Sequence, residues 1–162
     1  MKEEQYRAII GWFNARPAAR RGVYLLYGAL LLWLAARRQA QFLPTLLVPA
    51  AAFWLGSALR TRINRPRPYT AMGYQPLFPK KEKGRSMPSR HCFSAAAIAV
   101  VAWHCSLPLG IALVALALLI AASRVITGVH YPSDVVAGLA FGGGFALAGW
   151  QLYGWAVQML LG

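Results

Sequence analysis

The chain of 162 residues and 17.7 kDa is long enough for one domain. It is 58% apolar and only 13% charged, against about 45–50% and about 25% for a soluble domain, which argues against a soluble enzyme, a disordered tail or a disulfide scaffold. Seventeen Lys and Arg against four acids give a formal net charge of +13, which calls for a polyanionic partner: nucleic acid, an anionic membrane surface or a phosphorylated substrate.

In chain order, residues 1–21 are mixed. Ile9, Trp12 and Phe13 fall near one helical face among Lys2, Arg7, Arg16, Arg20 and Arg21, which predicts an amphipathic interfacial helix ended by Pro17. Five apolar runs follow, at roughly 22–36, 42–59, 91–106, 108–123 and 135–161. Crossing a bilayer takes about 20 residues. The second, fourth and fifth runs meet that length or nearly do, while the first and third lean on flanking residues. The expected fold is all-α: an integral-membrane helical bundle of about five transmembrane helices plus the N-terminal interfacial helix, one domain over residues 1–162. Gly138 and Gly142 in the last run have the small-xxx-small spacing that lets helices approach closely. Cys92 and Cys105 lie 13 residues apart in one run, roughly 20 Å on a helix and too far for a disulfide, so both read as packing residues.

The polar break between the second and third runs departs from this pattern. Residues 60–90 hold nine of the 17 basic residues: Arg60, Arg62, Arg65, Arg67, Lys80, Lys81, Lys83, Arg85 and Arg90. They face one acid, Glu82, and five prolines keep the segment out of long helix. The other acids are Glu3, Glu4 and Asp134. Such a set is poor material for a Mg²⁺ or Ca²⁺ cage built from oxygen ligands, so no metal or other cofactor is expected.

Three polar stretches flank the runs: Arg60 to Pro68, Pro88-Ser89-Arg90-His91, and Ser123-Arg124 through His130 to Asp134. Successive spans run antiparallel, which brings all three to one face. Pro132 favours the first turn of a helix, so the last span should start near Tyr131 or Pro132 with Asp134 in its first turn. Its carboxylate can then reach back to one ring nitrogen of His130, leaving the other as a nucleophile. His91 suits a general acid that protonates a leaving oxygen. Arg60, Arg67 and Arg124 offer planar forks for phosphate oxygens. Ser89 and the amides around Arg90 and His91 form a helix N-terminus suited to an anion. The set describes phosphoryl transfer through a phosphohistidine, with arginines and amides in place of a metal. His104, at the far end of its run, reads as an interfacial polar residue. Arg62, Arg65, Lys80, Lys81, Lys83 and Arg85 read as lipid-headgroup contacts.

These residues resemble the type 2 phosphatidic acid phosphatase family, which shares its site with vanadium haloperoxidases and bacterial acid phosphatases. The family pattern is Lys-x6-Arg-Pro, Pro-Ser-Gly-His and Ser-Arg-x5-His-x3-Asp. Here Arg60 replaces the lysine ahead of Arg67-Pro68, and Arg90 replaces the glycine between Ser89 and His91, while Ser123-Arg124, His130 and Asp134 match unchanged. The resemblance implies His130 as nucleophile, Asp134 as its partner and His91 as general acid. It implies Arg60, Arg67, Ser89, Arg124 and the amide of Arg90 as phosphate ligands. The Arg90 side chain is expected to meet a second phosphate or the headgroup.

The reading is a metal-independent membrane lipid phosphatase. Its substrate is a lipid mono- or diphosphate held in the bilayer: an isoprenoid diphosphate such as undecaprenyl diphosphate, phosphatidate or phosphatidylglycerophosphate. The rivals are a lipid phosphotransferase using the same histidine and an inactive lipid-binding relative. Haloperoxidases are larger and soluble, and no nucleic-acid reading motif accompanies the charge, so no nucleic-acid partner is expected. A multi-pass cell-membrane protein with five spans would carry its N-terminus and site on one face and its C-terminus on the other. The positive-inside count is biased by the site arginines and leaves the side open.

Overall fold

A computed structural model describes residues 18–73 and 82–161. Residues 1–17, which hold most of the expected interfacial helix, lie outside the described residues, as do Lys80 and Lys81. Six helices make up the described part: α1 Ala18–Ala36, α2 Phe42–Ile63, α3 Pro68–Ala71, α4 Arg90–Cys105, α5 Leu107–Ile126 and α6 Pro132–Leu161. Each of the five apolar runs forms one long helix, and α3 is a single turn. Three segments, Phe42–Ala71, Leu107–Ile126 and Pro132–Leu160, are long and apolar enough to cross a membrane. The first helix starts earlier than expected, because Arg20 and Arg21 belong to α1 and not to a separate element ended by Pro17.

Helix α4 is the centre of the bundle. It packs most extensively on α5 and α6, and also on α2 and α1. Its residues Ala95, Ala96, Ala97, Ala99 and Ala102 are all buried, and such small side chains let neighbours come close on several sides. Glycines do the same from the other helices. A Cβ on Gly142 would lie 2.1 Å from the Phe93 carbonyl oxygen, and one on Gly138 would lie 2.8 Å from that of Ser89. The small-xxx-small pair of α6 is therefore its seat on α4.

The outer helices bury one stripe each. On α5 the buried positions are Gly110, Leu113, Ala117, Ile120 and Ala121, a helical repeat. Their opposite faces expose large apolar side chains, such as Leu25, Trp54, Leu118 and Leu160, as expected of helices solvated by lipid tails. On α2 the stripe runs Thr45, Val48, Ala52, Gly56 and then Arg60. Arg60 thus occupies an inward position one turn beyond Gly56, and helix periodicity aims a guanidinium into the end of the bundle.

Candidate active site

Helix α2 stops at Asn64, whose φ of 41° is left-handed and whose amide donates to the Arg60 carbonyl at 3.0 Å, a common helix stop ahead of prolines. The chain then runs extended. The Arg67 amide donates to the Lys83 carbonyl at 3.2 Å, and the Ser86 amide to the Arg65 carbonyl at 2.9 Å. This pairing lays residues 83–86 beside 65–67 and carries the chain to the start of α4. There the Ser89 amide donates to the Asp134 carbonyl at 2.9 Å, tying α4 to α6. The His130 amide donates to the Arg124 carbonyl at 3.2 Å, which fixes the turn between α5 and α6. The three polar stretches do converge, at one end of the bundle.

A cavity of about 290 Å³ opens there, lined by Arg20, Arg60, Arg67, Arg90, Arg124, Glu82, His91, His130 and Val129. Arg60 is buried and anchored through Nε and Nη2 on the Arg85 carbonyl. Arg67, also buried, donates from Nε to the Gly84 carbonyl at 3.2 Å, from Nη1 to the Val129 carbonyl at 3.4 Å and from Nη2 to Glu82 at 2.8 Å. Among the described residues, Nε of Arg124 is buried without a hydrogen-bond partner, whereas the fully buried Ser89 hydroxyl lies against Cys92 and is not part of the cavity wall. Buried polar groups are normally satisfied, and Arg124, which lines the cavity, can meet an incoming acceptor there. A smaller cavity of about 90 Å³ shares Arg60, Glu82 and Arg90 with the first and adds Ser57, Thr61 and Arg85. Arg90 therefore stands between the two.

Glu82 is the one acid among these cations. Burial works to raise its carboxyl, but Arg67 beside it, with Arg90 and Arg60 further out, outweighs that and holds it below the usual carboxylate range. For His130, burial comes first and lowers the pKa below the ordinary imidazole value. Arg67 and Arg60 push the same way, while Asp134 pulls back. The buried ring is thus held neutral near pH 7.

Helix α6 begins at Pro132, and Asp134 lies in its first turn. Its Oδ2 accepts from the Tyr131 amide at 3.0 Å, a reach back across the helix start of the capping-box kind. The expected reach of the carboxylate back to His130 is there, as a long contact. Oδ2 stands 3.5 Å from His130 Nδ1, longer than a usual hydrogen bond, and the Ser86 hydroxyl stands against both groups. Ser86 Oγ lies 2.5 Å from Asp134 Oδ2 and 3.3 Å from His130 Nδ1.

Arg65, expected only at lipid headgroups, also has partners within the protein: its Nη1 bonds Asp134 Oδ1 at 2.8 Å and Ser133 Oγ at 2.8 Å, and its guanidinium lies 4.1 Å from the centre of the Tyr131 ring. The left-handed turn at Asn64 redirects the chain and carries Arg65 to the start of α6. The sequence reading also missed Arg20 and Ser86. Arg20 was hidden by a helix boundary placed too late. No spacing signal singles out Ser86, whose partners are 44 and 48 residues away.

Far from this end, His104 Nδ1 donates to the Val100 carbonyl at 2.8 Å, and the ring stacks on Trp150 at 4.6 Å between ring centres. Cys92 and Cys105 are both free.

An all-helical bundle with this arginine-lined end matches a known class. Residues 41–158 match the model of the PAP2 superfamily, and the chain belongs to that family. It is 37% identical over 99 residues to a lipid A 1-phosphatase of Rhizobium etli, covering 57% of this chain and 42% of that one. It is 31% identical over 147 residues to a lipid A 1-phosphatase of Rhizobium johnstonii, covering 76% of this chain and 59% of that one. The chain thus spans about half the length of these curated relatives. Among solved structures, the Aquifex aeolicus LpxE superposes with a TM-score of 0.66 at 28% identity, covering 89% of this chain and 93% of that one. A transmembrane PAP2-type phosphatidylglycerolphosphate phosphatase from Bacillus subtilis superposes with a TM-score of 0.68 at 25% identity, covering 94% and 78%. The chain is accordingly a membrane protein of PAP2 type.

Proposed function

We propose that the protein is a multi-pass cell-membrane phosphatase that hydrolyses a lipid phosphate through a phosphohistidine on His130, without a metal. The observation that carries this reading is the cavity itself: a neutral, buried His130 shares one space with His91 and five arginines. A cavity so positive attracts a phosphate and repels a divalent cation. Its donors suit the oxygens of a transferring phosphoryl group, which need positioning and charge more than covalent help.

In the first step the free ring nitrogen of His130 attacks phosphorus and the bond from phosphorus to the lipid oxygen breaks. His91 gives that oxygen a proton, which His91 holds only while the negative charge of the bound phosphate offsets the neighbouring arginines. Water then attacks the phosphohistidine, His91 takes back a proton, and inorganic phosphate leaves. Arg60, Arg67, Arg124 and the Arg90 amide hold the phosphate. Arg67 exchanges Glu82 for a phosphate oxygen as the substrate enters.

The membrane setting and the relatives' names, which specify lipid A and phosphatidylglycerolphosphate, support a lipid phosphate as substrate. A tail in the bilayer presents its phosphate at the end of the bundle. Isoprenoid diphosphates and phosphatidate also carry a phosphate on a bilayer-anchored tail. The Arg90 side chain, on the wall between the two cavities, favours a second phosphate. In that case Arg90→Gly lowers turnover of a lipid diphosphate more than that of a monophosphate, and equal losses would remove this assignment.

The test is phosphate release from purified protein. The reading expects turnover of a lipid phosphate that survives EDTA, is inhibited by vanadate and leaves an acid-labile phosphoenzyme. Loss with EDTA that Mg²⁺ restores would overturn it, as would indifference to millimolar vanadate. Transfer to an added alcohol in place of water would make the protein a phosphotransferase.

A further inference from the structure

We infer that Ser86 is a positioning residue for His130: its hydroxyl relays the hydrogen bond between the imidazole and Asp134 and so fixes which ring nitrogen is free to react. The inference rests on His130 being the nucleophile of the proposed reaction. It comes from a part of the site that neither the motif spacing nor the family pattern marks.

The argument is a count of protons. Ser86, Asp134 and His130 are all buried, the first two completely. An ionised carboxylate only accepts, and Asp134 already takes hydrogen bonds from Arg65 on Oδ1 and from the Tyr131 amide on Oδ2. The contact of 2.5 Å between Ser86 Oγ and Oδ2 therefore contains the one hydroxyl proton, in the short, charge-assisted range. That proton cannot also serve His130. The contact of 3.3 Å between Oγ and Nδ1 is then made with a lone pair of the serine, and the proton there belongs to Nδ1. Nδ1 carries hydrogen, Nε2 is bare, and Nε2 is the atom left to face the phosphate.

The main chain holds the relay in register. The Ser86 amide donates to the Arg65 carbonyl at 2.9 Å, while the Arg65 side chain holds the other carboxylate oxygen. Directly, the carboxylate and the ring nitrogen stand 3.5 Å apart, farther than either stands from the serine hydroxyl. With Ser86 in place, the negative charge that steadies the ring during phosphoryl transfer acts through one hydroxyl. Arg65 holds that carboxylate still and offsets part of its charge.

The experiment uses the full chain in detergent with ¹⁵N-labelled histidine. There are only three histidines, so His91→Gln and His104→Gln assign the spectrum. Above about pH 7.5, where a free imidazole is neutral, His130 is expected as the Nδ1–H tautomer in the wild type. In Ser86→Ala the ring is expected to become a mixture of tautomers. Its kcat is expected to fall about 10–100-fold, the worth of a hydrogen bond to a charged group, with KM changed less than about 3-fold. Ser86→Cys, of similar size and weaker donor strength, should lie between. An Nε2–H tautomer in the wild type overturns the proposal, and so does a wild-type tautomer ratio or a wild-type kcat in Ser86→Ala. An Nε2–H tautomer in the wild type overturns the relay with no variant and no substrate, and if Ser86→Ala does not fold, a wild-type tautomer ratio and kcat in Ser86→Cys overturn it instead. A phosphoenzyme in the wild type together with an unchanged Ser86→Ala would remove the relay and leave the phosphatase standing.

Discussion

Helix α4 carries a histidine near each end, and the two ends differ in every other respect. At the first, His91 lines a cavity with five arginines, and the chain around it is tied to α6 through Ser89 and Asp134. At the second, His104 bonds a carbonyl of its own helix and stacks on Trp150. The second histidine is satisfied locally, by one turn of helix and one aromatic neighbour. The first sits among groups drawn from α1, α2, α5 and the loop before α6. A histidine becomes part of a site when it shares space with charges that its own helix does not supply. Residue type and position at a helix end do not suffice.

Substitutions should reproduce this contrast, beginning with the largest effect. His130→Ala should abolish turnover and phosphoenzyme, a loss of about 10⁴-fold or more, as for removal of a nucleophile that works as part of a unit; phosphoenzyme persisting in this variant would reassign the nucleophile. His91→Ala should cost about 10²–10⁴-fold on a lipid monophosphate and far less on a nitrophenyl ester, whose leaving group needs no proton. Equal losses on both substrates would refute the role of general acid. Asp134→Asn should fall between the two histidine variants, because the imidazole stays but its charged partner is gone.

The packing that brings α6 to the site end gives a smaller effect. Gly142 has no room for a methyl group, since Phe93 backbone atoms lie 2.1 and 2.7 Å from where it would go, whereas Gly143 beside it faces open space. Overpacking costs about 1–3 kcal/mol. Gly142→Ala should lower the midpoint of thermal unfolding in detergent and Gly143→Ala should not; matching midpoints would show that α6 does not rest on α4 as described.

Acid should separate the ends as well. The folded pKa of His130 lies below its ordinary value, burial being the first cause. Between that folded pKa and about 6.5 the unfolded chain binds a proton that the folded chain does not. The stabilisation is present above about pH 6.5 and is lost as pH falls towards the folded pKa. Unfolding midpoints from neutral to mildly acid pH should fall in the wild type and fall less in His130→Gln; parallel curves would contradict a buried neutral ring. The smallest effect is expected from His104→Gln, with turnover within about 2-fold of wild type, as for a substitution outside any network. A larger loss in phosphate release would mean that the two ends of α4 are coupled.

Much of this was written in the sequence. The five apolar runs became five helices because a chain with so little charge must pair its backbone internally and bury or lipid-solvate its side chains. Antiparallel order alone sent Arg60, Arg67, His91, Arg124 and His130 towards one end, and Pro132 fixed the start of α6 at the expected residue. Gly138 and Gly142 announced a close helix contact by their spacing. What the sequence could not supply was the path of the loops. Arg65 and Arg62 are chemically alike and three residues apart, yet only Arg65 lies beyond the left-handed Asn64, and only Arg65 meets Asp134. Arg20 joins the cavity because α1 begins a turn earlier than its apolar run. Ser86 stands between His130 and Asp134 because residues 83–86 pair with 65–67. That pairing depends on main-chain hydrogen bonds, which carry no signature in residue type. Helix periodicity is local and legible in the chain, whereas a contact made across 48 residues is set only when the helices have packed.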